Sequence, residues 1–251
     1  MTDSPCTHHR HDPRGQAGAH HCSQATRLQA LTRSPLTGHL PEADLLELSH
    51  RLKARAWGPG ETVLRAGDAA EGSYIVMAGL AKIVHDTADG RSLTLDLAAP
   101  GDVLGPVHSG PGVLTDSVLA LEPLCALYLP ATELADLVQE HPALAVQILN
   151  LQQERLARVR HNEIAQATLP VPQRVADVLL HLNTKLGATR ADGARVLTAD
   201  VSRADIAGMA GTTVESASRV MAAWKKQGLI DSGRRWVALL DVAALARVAE
   251  N

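Results

Sequence analysis

The spacing of apolar positions changes along the chain, and each change marks a different kind of element. In residues 41–53, Leu45, Leu48 and Leu52 recur at intervals of three and four, which predicts a short amphipathic helix. From 56 to 130 the apolar runs are short and broken by glycine. Thr62, Val63 and Leu64 form one run, Tyr74, Ile75 and Val76 another, with Gly67 and Asp68 between them and Gly79 after them. Strands are predicted over 80–85 and 93–97, around a turn at Ala88, Asp89, Gly90 and Arg91, and again over 118–121 and 125–129. Pro100, Gly101 and Asp102 make a further tight turn. Short strands with turns roughly every 8–12 residues predict a β roll or barrel.

Between 131 and 168 the period lengthens. Leu149, Leu156 and Glu163 lie seven apart, Gln152, Val159 and Gln166 form the adjacent row, and Ile148, Leu151, Ala157, Ile164 and Ala165 fill in around them. This predicts a long helix over about 142–168 with an imperfect heptad seam, a candidate dimer contact. Pro170 and Pro172 end it and mark a hinge. The expected organisation is a disordered His/Cys-rich tail (1–34), a β-roll sensor (35–135), the dimerisation helix (136–169) and a second domain (170–251), helix-rich apart from a β turn near the end.

That last domain carries a local signature. Ser202, Arg203, Ala204 and Asp205 open a helix, with Ser202 able to cap it and Asp205 favourable in the first turn. Ile206, Ala207 and Ala210 supply an apolar face, and Gly211 a sharp turn. Thr212, Thr213, Val214 and Glu215 read as a T-x-x-E capping box opening a second helix. That helix is expected to run to Gln227, with Gly228 closing it. Val214, Ala217, Val220 and Met221 are expected to face inward, and Glu215, Ser218 and Arg219 outward. Two apolar runs then flank Ser232 and Gly233 as in a β wing, with Lys225, Lys226, Arg234 and Arg235 alongside. Such cations suit phosphate contacts, which fix register. Net charge is −3, so DNA attraction has to come from a local patch of this kind.

With these residues in view, the chain resembles the family of the cyclic-AMP receptor protein and the fumarate-nitrate reductase regulator (Crp/Fnr), over residues 35–245. Gly67-Asp68, Tyr74 to Gly79, and Pro100 to Gly105 resemble that family's sensor roll. Glu215-x-x-Ser218-Arg219 is similar to the E-x-x-S-R of the Fnr-like branch. The resemblance implies an α+β fold: an N-terminal cyclic-nucleotide-binding-like β roll, a long dimerisation helix and a C-terminal winged helix-turn-helix. It implies a homodimeric transcription regulator that binds double-stranded DNA at a palindrome with TTGAT-like half-sites and works with RNA polymerase. Arg203, Thr213, Val214, Glu215, Ser218, Arg219, Lys225, Lys226, Arg234 and Arg235 are the candidate DNA contacts. Arg219 matches guanine O6 and N7 in bidentate geometry. Glu215 has two compatible roles, helix capping and reception of a base amino group.

The resemblance leaves the signal open. The family's nucleotide phosphate pairs with an Arg-Ser couple. Here the corresponding loop has Thr115 and Asp116, Pro106 replaces the pocket Glu, and no Arg or Lys occurs from Ser92 through Glu154. An unpaired buried phosphate is costly, so cyclic AMP is not the expected effector. Cys6, Cys22 and Cys125, with His8, His9, His11, His20 and His21, are candidate ligands of an iron-sulfur cluster or another metal. The plain alternative is a loose tail and an inert buried Cys125. His108 is an alternative haem ligand by resemblance to the family's carbon-monoxide sensor, or simply a surface-loop histidine. A neutral small-molecule effector is the remaining option. The polar start of the chain and the lack of an apolar run of about 20 residues predict a cytoplasmic protein without membrane attachment. No G-x-S-x-G or Walker loop occurs, and residues 56–130 hold no H-x-H with a following Glu, so nothing suggests an enzyme. The chain has three Trp, two Tyr and no Phe, so its core is expected to be aliphatic.

Overall fold

The computed structural model describes residues 18–19, 22–87, 90, 92–108, 112–190, 194–197, 201–233 and 236–250. They form two compact units, residues 1–86 with 97–155 and residues 87–96 with 156–251. No described helix is long and apolar enough to cross a membrane.

In the first unit, β1 (Gly18–Ala19), α1 (Gln24–Arg33) and α2 (Glu42–Arg51) precede the roll. The roll strands are β2 (Lys53–Trp57), β3 (Thr62–Leu64), β4 (Gly72–Ala78), β5 (Ala81–Asp86), β6 (Ser92–Ala98), of which residues 92–96 belong to the second unit, β7 (Val103–Leu104), β8 (Ser117–Ala120) and β9 (Leu124–Pro130). Then come α3 (Ala131–Glu140) and α4 (Ala143–Thr168), whose residues from Leu156 on belong to the second unit. The strands lie in two sheets, ordered β1-β2-β9-β4-β7 and β3-β8-β5-β6. β4 lies inside its sheet between β9 and β7, and all its residues but the last are buried. That explains why it reads as a continuous apolar run rather than an alternating one. Gly79 turns the chain from β4 into β5 at φ +80°, and a Cβ there would lie 2.0 Å from the Pro123 carbonyl oxygen. The predicted turn at Gly101 has φ +99°, and the Ala99 N–H donates to the Asp102 carboxylate at 3.0 Å.

The tail departs from expectation over its last third. Residues 1–17, 20 and 21 lie outside the described part, but 24–33 are helical rather than disordered. Ser23 caps α1 by accepting the Thr26 N–H at 3.2 Å. Ala30, Leu31 and Leu36 are buried in one cluster with Leu45, Leu48, Ile75 and Leu127. Arg27 donates to the carbonyls of Ser49 and Leu52, which ties α1 to the end of α2. The stabilising partners are distant in sequence, so local polarity under-reports them.

In the second unit, α5 (Val171–Leu186) starts at the two prolines, with Pro170 as N-cap. β10 (Gly187–Thr189), β11 (Arg195–Leu197), α6 (Arg203–Met209), α7 (Val214–Lys226), β12 (Ile230–Gly233), β13 (Trp236–Leu239) and α8 (Val242–Glu250) follow. Val175, Val178, Leu179, Leu182 and Leu186 give α5 one buried stripe at helical spacing. The sheet β10-β11-β13-β12 is larger than the single β turn expected. β10 and β11 have three residues each, too few for alternation to register, and Arg195 secures them by donating to Asn183 Oδ1 and the Gly187 carbonyl. Also in this unit, Asp96 accepts from His181 Nε2 at 3.1 Å and Lys185 Nζ at 2.9 Å. Burial raises the Asp96 pKa, but the His181 hydrogen bond and the Lys185 charge outweigh it and hold the carboxyl at about 2.

Candidate nucleic-acid interface

The interface is built from α6, its turn and α7. Ser202 caps α6 by accepting the Asp205 N–H at 3.1 Å, and the Asp205 carboxylate accepts the Ser202 N–H at 3.0 Å, a reciprocal capping box. The far end closes as a Schellman motif: Gly211 N–H donates to the Gly208 carbonyl and Thr212 N–H to the Ala207 carbonyl. This geometry needs a left-handed residue, which Gly211 supplies at φ +56°. A Cβ there would also come within 2.8 Å of the Gln166 side chain. Arg174 donates to the Gly211 carbonyl at 3.0 Å and fixes the turn.

α7 begins one residue later than the T-x-x-E pattern suggests. Thr213, not Thr212, is the N-cap, and its hydroxyl accepts the Ser216 N–H at 3.2 Å. Glu215 therefore occupies the second helical position and has no capping duty. Gly228, at φ +72°, closes the helix with a second Schellman pair, Gly228 N–H to Lys225 and Leu229 N–H to Trp224.

The buried stripe of α7 is Ala217, Met221 and Trp224, packed against α5 and α6. Val214, expected inside, is 44% exposed, and Val220, also expected inside, is half-buried. Glu215, Arg219, Ala222 and Lys226 are exposed along one outer face, with Ser218 half-buried beside Arg219. Glu215 and Arg219 are one turn apart, so an acceptor and a bidentate donor are presented together.

The candidate cations divide into two groups. Arg203 is half-buried and donates to Ser232 Oγ at 2.8 Å, with Met221 Sδ against its other nitrogen. Burial lowers its pKa. It clasps the wing to α6 rather than standing free for DNA. Lys225 likewise reaches the Ser232 carbonyl and the Asp231 carboxylate, both at 2.8 Å. Lys226 is exposed. Arg234 and Arg235 lie outside the described residues.

On the sensor side, Cys22 and Cys125 are both buried in the same apolar cluster, and neither forms a disulfide. The tail strand β1 pairs with β2, and Ala56 of β2 is in register with both Gly18 and Cys125. Cys6 lies outside the described residues. Among the described residues no three ligating side chains gather in metal-binding geometry. His108 is exposed, its ring against Gly112. Asp116 is engaged by Thr115 Oγ1 and faces His85 Nδ1, each at 2.9 Å.

The roll does carry cations outside 92–154, Arg55 on β2 and Arg65 just after β3. They line a cavity of about 480 Å³ with Tyr74 and Tyr128. The only sequence signal for it was the placement of both tyrosines and Trp57 in one predicted domain of an aromatic-poor chain.

Comparison with known proteins agrees with this architecture. Residues 173–248 match the Crp-like helix-turn-helix domain family, and residues 54–141 the cyclic nucleotide-binding domain family. The transcriptional regulator LdrP of Thermus thermophilus is 32% identical over 198 residues, 75% of this chain and 93% of that one. The CRP-like cAMP-activated global transcriptional regulator of Mycobacterium tuberculosis is 27% identical over 222 residues, 88% of this chain and 99% of that one. In fold, the chain is similar to FixK2 of Bradyrhizobium japonicum, with a TM-score of 0.71 at 22% identity over 78% of this chain and 96% of that one. A sensor roll, a long helix and a winged helix-turn-helix, joined in the order of these relatives, mean that this chain belongs to the Crp/Fnr family of DNA-binding transcription regulators.

Proposed function

We propose that this regulator is a cytoplasmic homodimer that reads a TTGAT-like palindrome through α7 and answers a redox or gas signal, working with RNA polymerase. The observation that carries the DNA reading is the outer face of α7, where Glu215 and Arg219 stand exposed one turn apart on a helix capped at both ends. Arg219 reads guanine, Glu215 receives a base amino group, and Ser218, Thr213 and Val214 flank them. Lys226, with Arg234 and Arg235, contacts phosphate. Lys225 and Arg203 act through the wing they hold.

Dimerisation uses α4. Val146, Leu149, Leu156, Val159 and Ile164 are all more than half exposed there, an apolar surface that a lone helix would not present to water. Two-fold symmetry then sets the recognition helices about 34 Å apart on the duplex.

The signal reading rests on Cys22 and Cys125, two thiols in one apolar cluster beside a tail strand that folds onto the roll. In this reading they supply two ligands of an iron-sulfur or metal site, and the tail's Cys6 and histidines are the source of the others. When bound, such a centre would supply an oxygen- or nitric-oxide-sensitive group. Cyclic AMP is not the effector in this reading, because Asp116 holds the place of the family's phosphate-binding pair.

The test is anaerobic purification with an absorption spectrum and metal analysis, followed by DNA binding with and without oxygen. Iron in the wild type, and its loss in the Cys6→Ser, Cys22→Ser, Cys125→Ser triple variant together with oxygen response, is expected. A metal-free wild type whose regulation survives in the triple variant would overturn the cysteine-centred signal and leave haem at His108 or a neutral effector.

A further inference from the structure

The cavity of about 480 Å³ in the first unit has no part in the function proposed above, and its size is that of a small-molecule site. Its walls come from β2, β3, the turn after β3, β4 and β9. Strand register explains how the chemistry converges. Tyr128 pairs with both Lys53 on β2 and Tyr74 on β4, and Arg55 is two residues along from Lys53 on the same face. Arg55 Nη1 donates to the Tyr74 hydroxyl at 3.2 Å, and its guanidinium carbon lies 4.9 Å from the Tyr128 ring centroid. Trp57 meets Tyr74 edge-on at 5.1 Å.

Trp57 and Tyr74 are buried in the roll core, which is otherwise mostly aliphatic, and both tyrosines of the chain and one of its three tryptophans gather here. A guanidinium stacked on an aromatic ring and held by a phenol has lost its rotamer freedom in advance, which is how carboxylate sites are preorganised. Burial raises the Tyr74 pKa, against the lowering effect of Arg55, so the phenol is neutral. It accepts from Arg55 and keeps its own proton to donate.

The cavity is not simply anion-seeking. Arg55 and Arg65 share it with Glu61, Asp68 and Glu71. Glu61 already accepts the Gly58 N–H at 2.7 Å, whereas Asp68 and Glu71 are exposed at the rim. A ligand with negative charge alone would meet these carboxylates, and one with positive charge alone would meet Arg55.

We propose that this cavity binds a small zwitterion of the amino-acid class, its carboxylate held by Arg55 and the Tyr74 hydroxyl and its ammonium directed to Asp68 and Glu71. The site shares no polar residue with the 113–117 loop, where resemblance places a cyclic nucleotide's phosphate. From residues 112–117 the cavity takes only Leu114.

Trp57 is a built-in reporter for the test. The full chain is titrated with each common L-amino acid at millimolar concentration while tryptophan emission is followed, with a Trp57→Phe variant to identify the signal. Any amino acid that binds is compared with its N-acetyl and amide derivatives, and with inorganic phosphate and cyclic AMP. At least one free amino acid should give a saturable change that disappears in Trp57→Phe. Tyr74→Phe, which keeps the ring, should weaken it about tenfold with an unchanged thermal melt, the loss of about one hydrogen bond to a charged group. Arg55→Gln should remove binding, and each blocked derivative should bind at least about tenfold more weakly. No saturable response to any amino acid, equal binding of a blocked derivative, or wild-type binding by both Tyr74→Phe and Arg55→Gln would overturn the proposal. DNA binding is measured separately, so its outcome does not bear on this one.

Discussion

Replacing Asp205 with alanine should loosen the DNA-reading unit selectively. The side chain is 4% exposed, and its carboxylate serves donors on Ser202 and Thr94. One oxygen accepts the Ser202 N–H at 3.0 Å and the Ser202 hydroxyl at 2.5 Å, and the other accepts the Thr94 hydroxyl at 2.9 Å. Ser202 can still cap the helix through the residue-205 N–H, so only half of the capping box is lost, about 0.5–1 kcal/mol. The buried Thr94 hydroxyl loses a charged acceptor, which costs about 1.5–3 kcal/mol. The sum is about 3 kcal/mol, or roughly 10–20 °C in melting temperature for a unit of about 100 residues. Asparagine should cost only about 1 kcal/mol, since its oxygen can serve Ser202 while Thr94 turns its hydroxyl to accept. The assay is thermal unfolding of the full chain in a Trp57→Phe background, where Trp224 and Trp236 report on this unit alone. A Thr94→Val, Asp205→Ala double-mutant cycle isolates the Thr94 contribution. An Asp205→Ala protein that melts within about 2 °C of its parent would refute the reasoning.

Gly79→Ala should destabilise the roll by at least about 2 kcal/mol, because the residue is at φ +80° and its new Cβ would strike the Pro123 carbonyl; urea unfolding measures it. Asp96 titrates near 2 when folded against 3.8 otherwise, so its stabilisation of about 2 kcal/mol is complete above pH 3.8 and is lost as pH falls through about 2. Asp96→Asn should therefore flatten the stability profile between those two values, and a profile parallel to wild type would contradict the assignment. Leu156→Asp should weaken dimerisation and operator binding together, and an intact dimer in sedimentation would place the contact elsewhere than on α4.

The helix-turn-helix was legible because its signals are local. Gly211 and Gly228 each complete a Schellman turn, and the polar positions 215, 218 and 219 fall where a helix of period 3.6 must expose them. Its misread cap, at Thr212, is also a local ambiguity. Two adjacent threonines offer the same chemistry, and the left-handed geometry of Gly211 selects Thr213. Features held together by distant residues were harder to see. α1 is stabilised by α2 and the roll, so its polar surroundings suggested disorder. Arg203 and Lys225 looked like free cations until the wing supplied Ser232 and Asp231. The Arg55–Tyr74–Tyr128 group is assembled by strand register across three strands, which no window of sequence contains.

The central claim, that α7 reads base sequence through Arg219, is tested most directly by fluorescence anisotropy on two duplexes. One carries the TTGAT palindrome, and the other has its guanines replaced by adenine, both at one fixed salt concentration. Wild type should prefer the guanine duplex by about 1–3 kcal/mol per half-site, and Arg219→Ala should bind both duplexes alike while keeping its fold and dimer. Equal affinity of the wild type for the two duplexes, or an undiminished preference in Arg219→Ala, would contradict it.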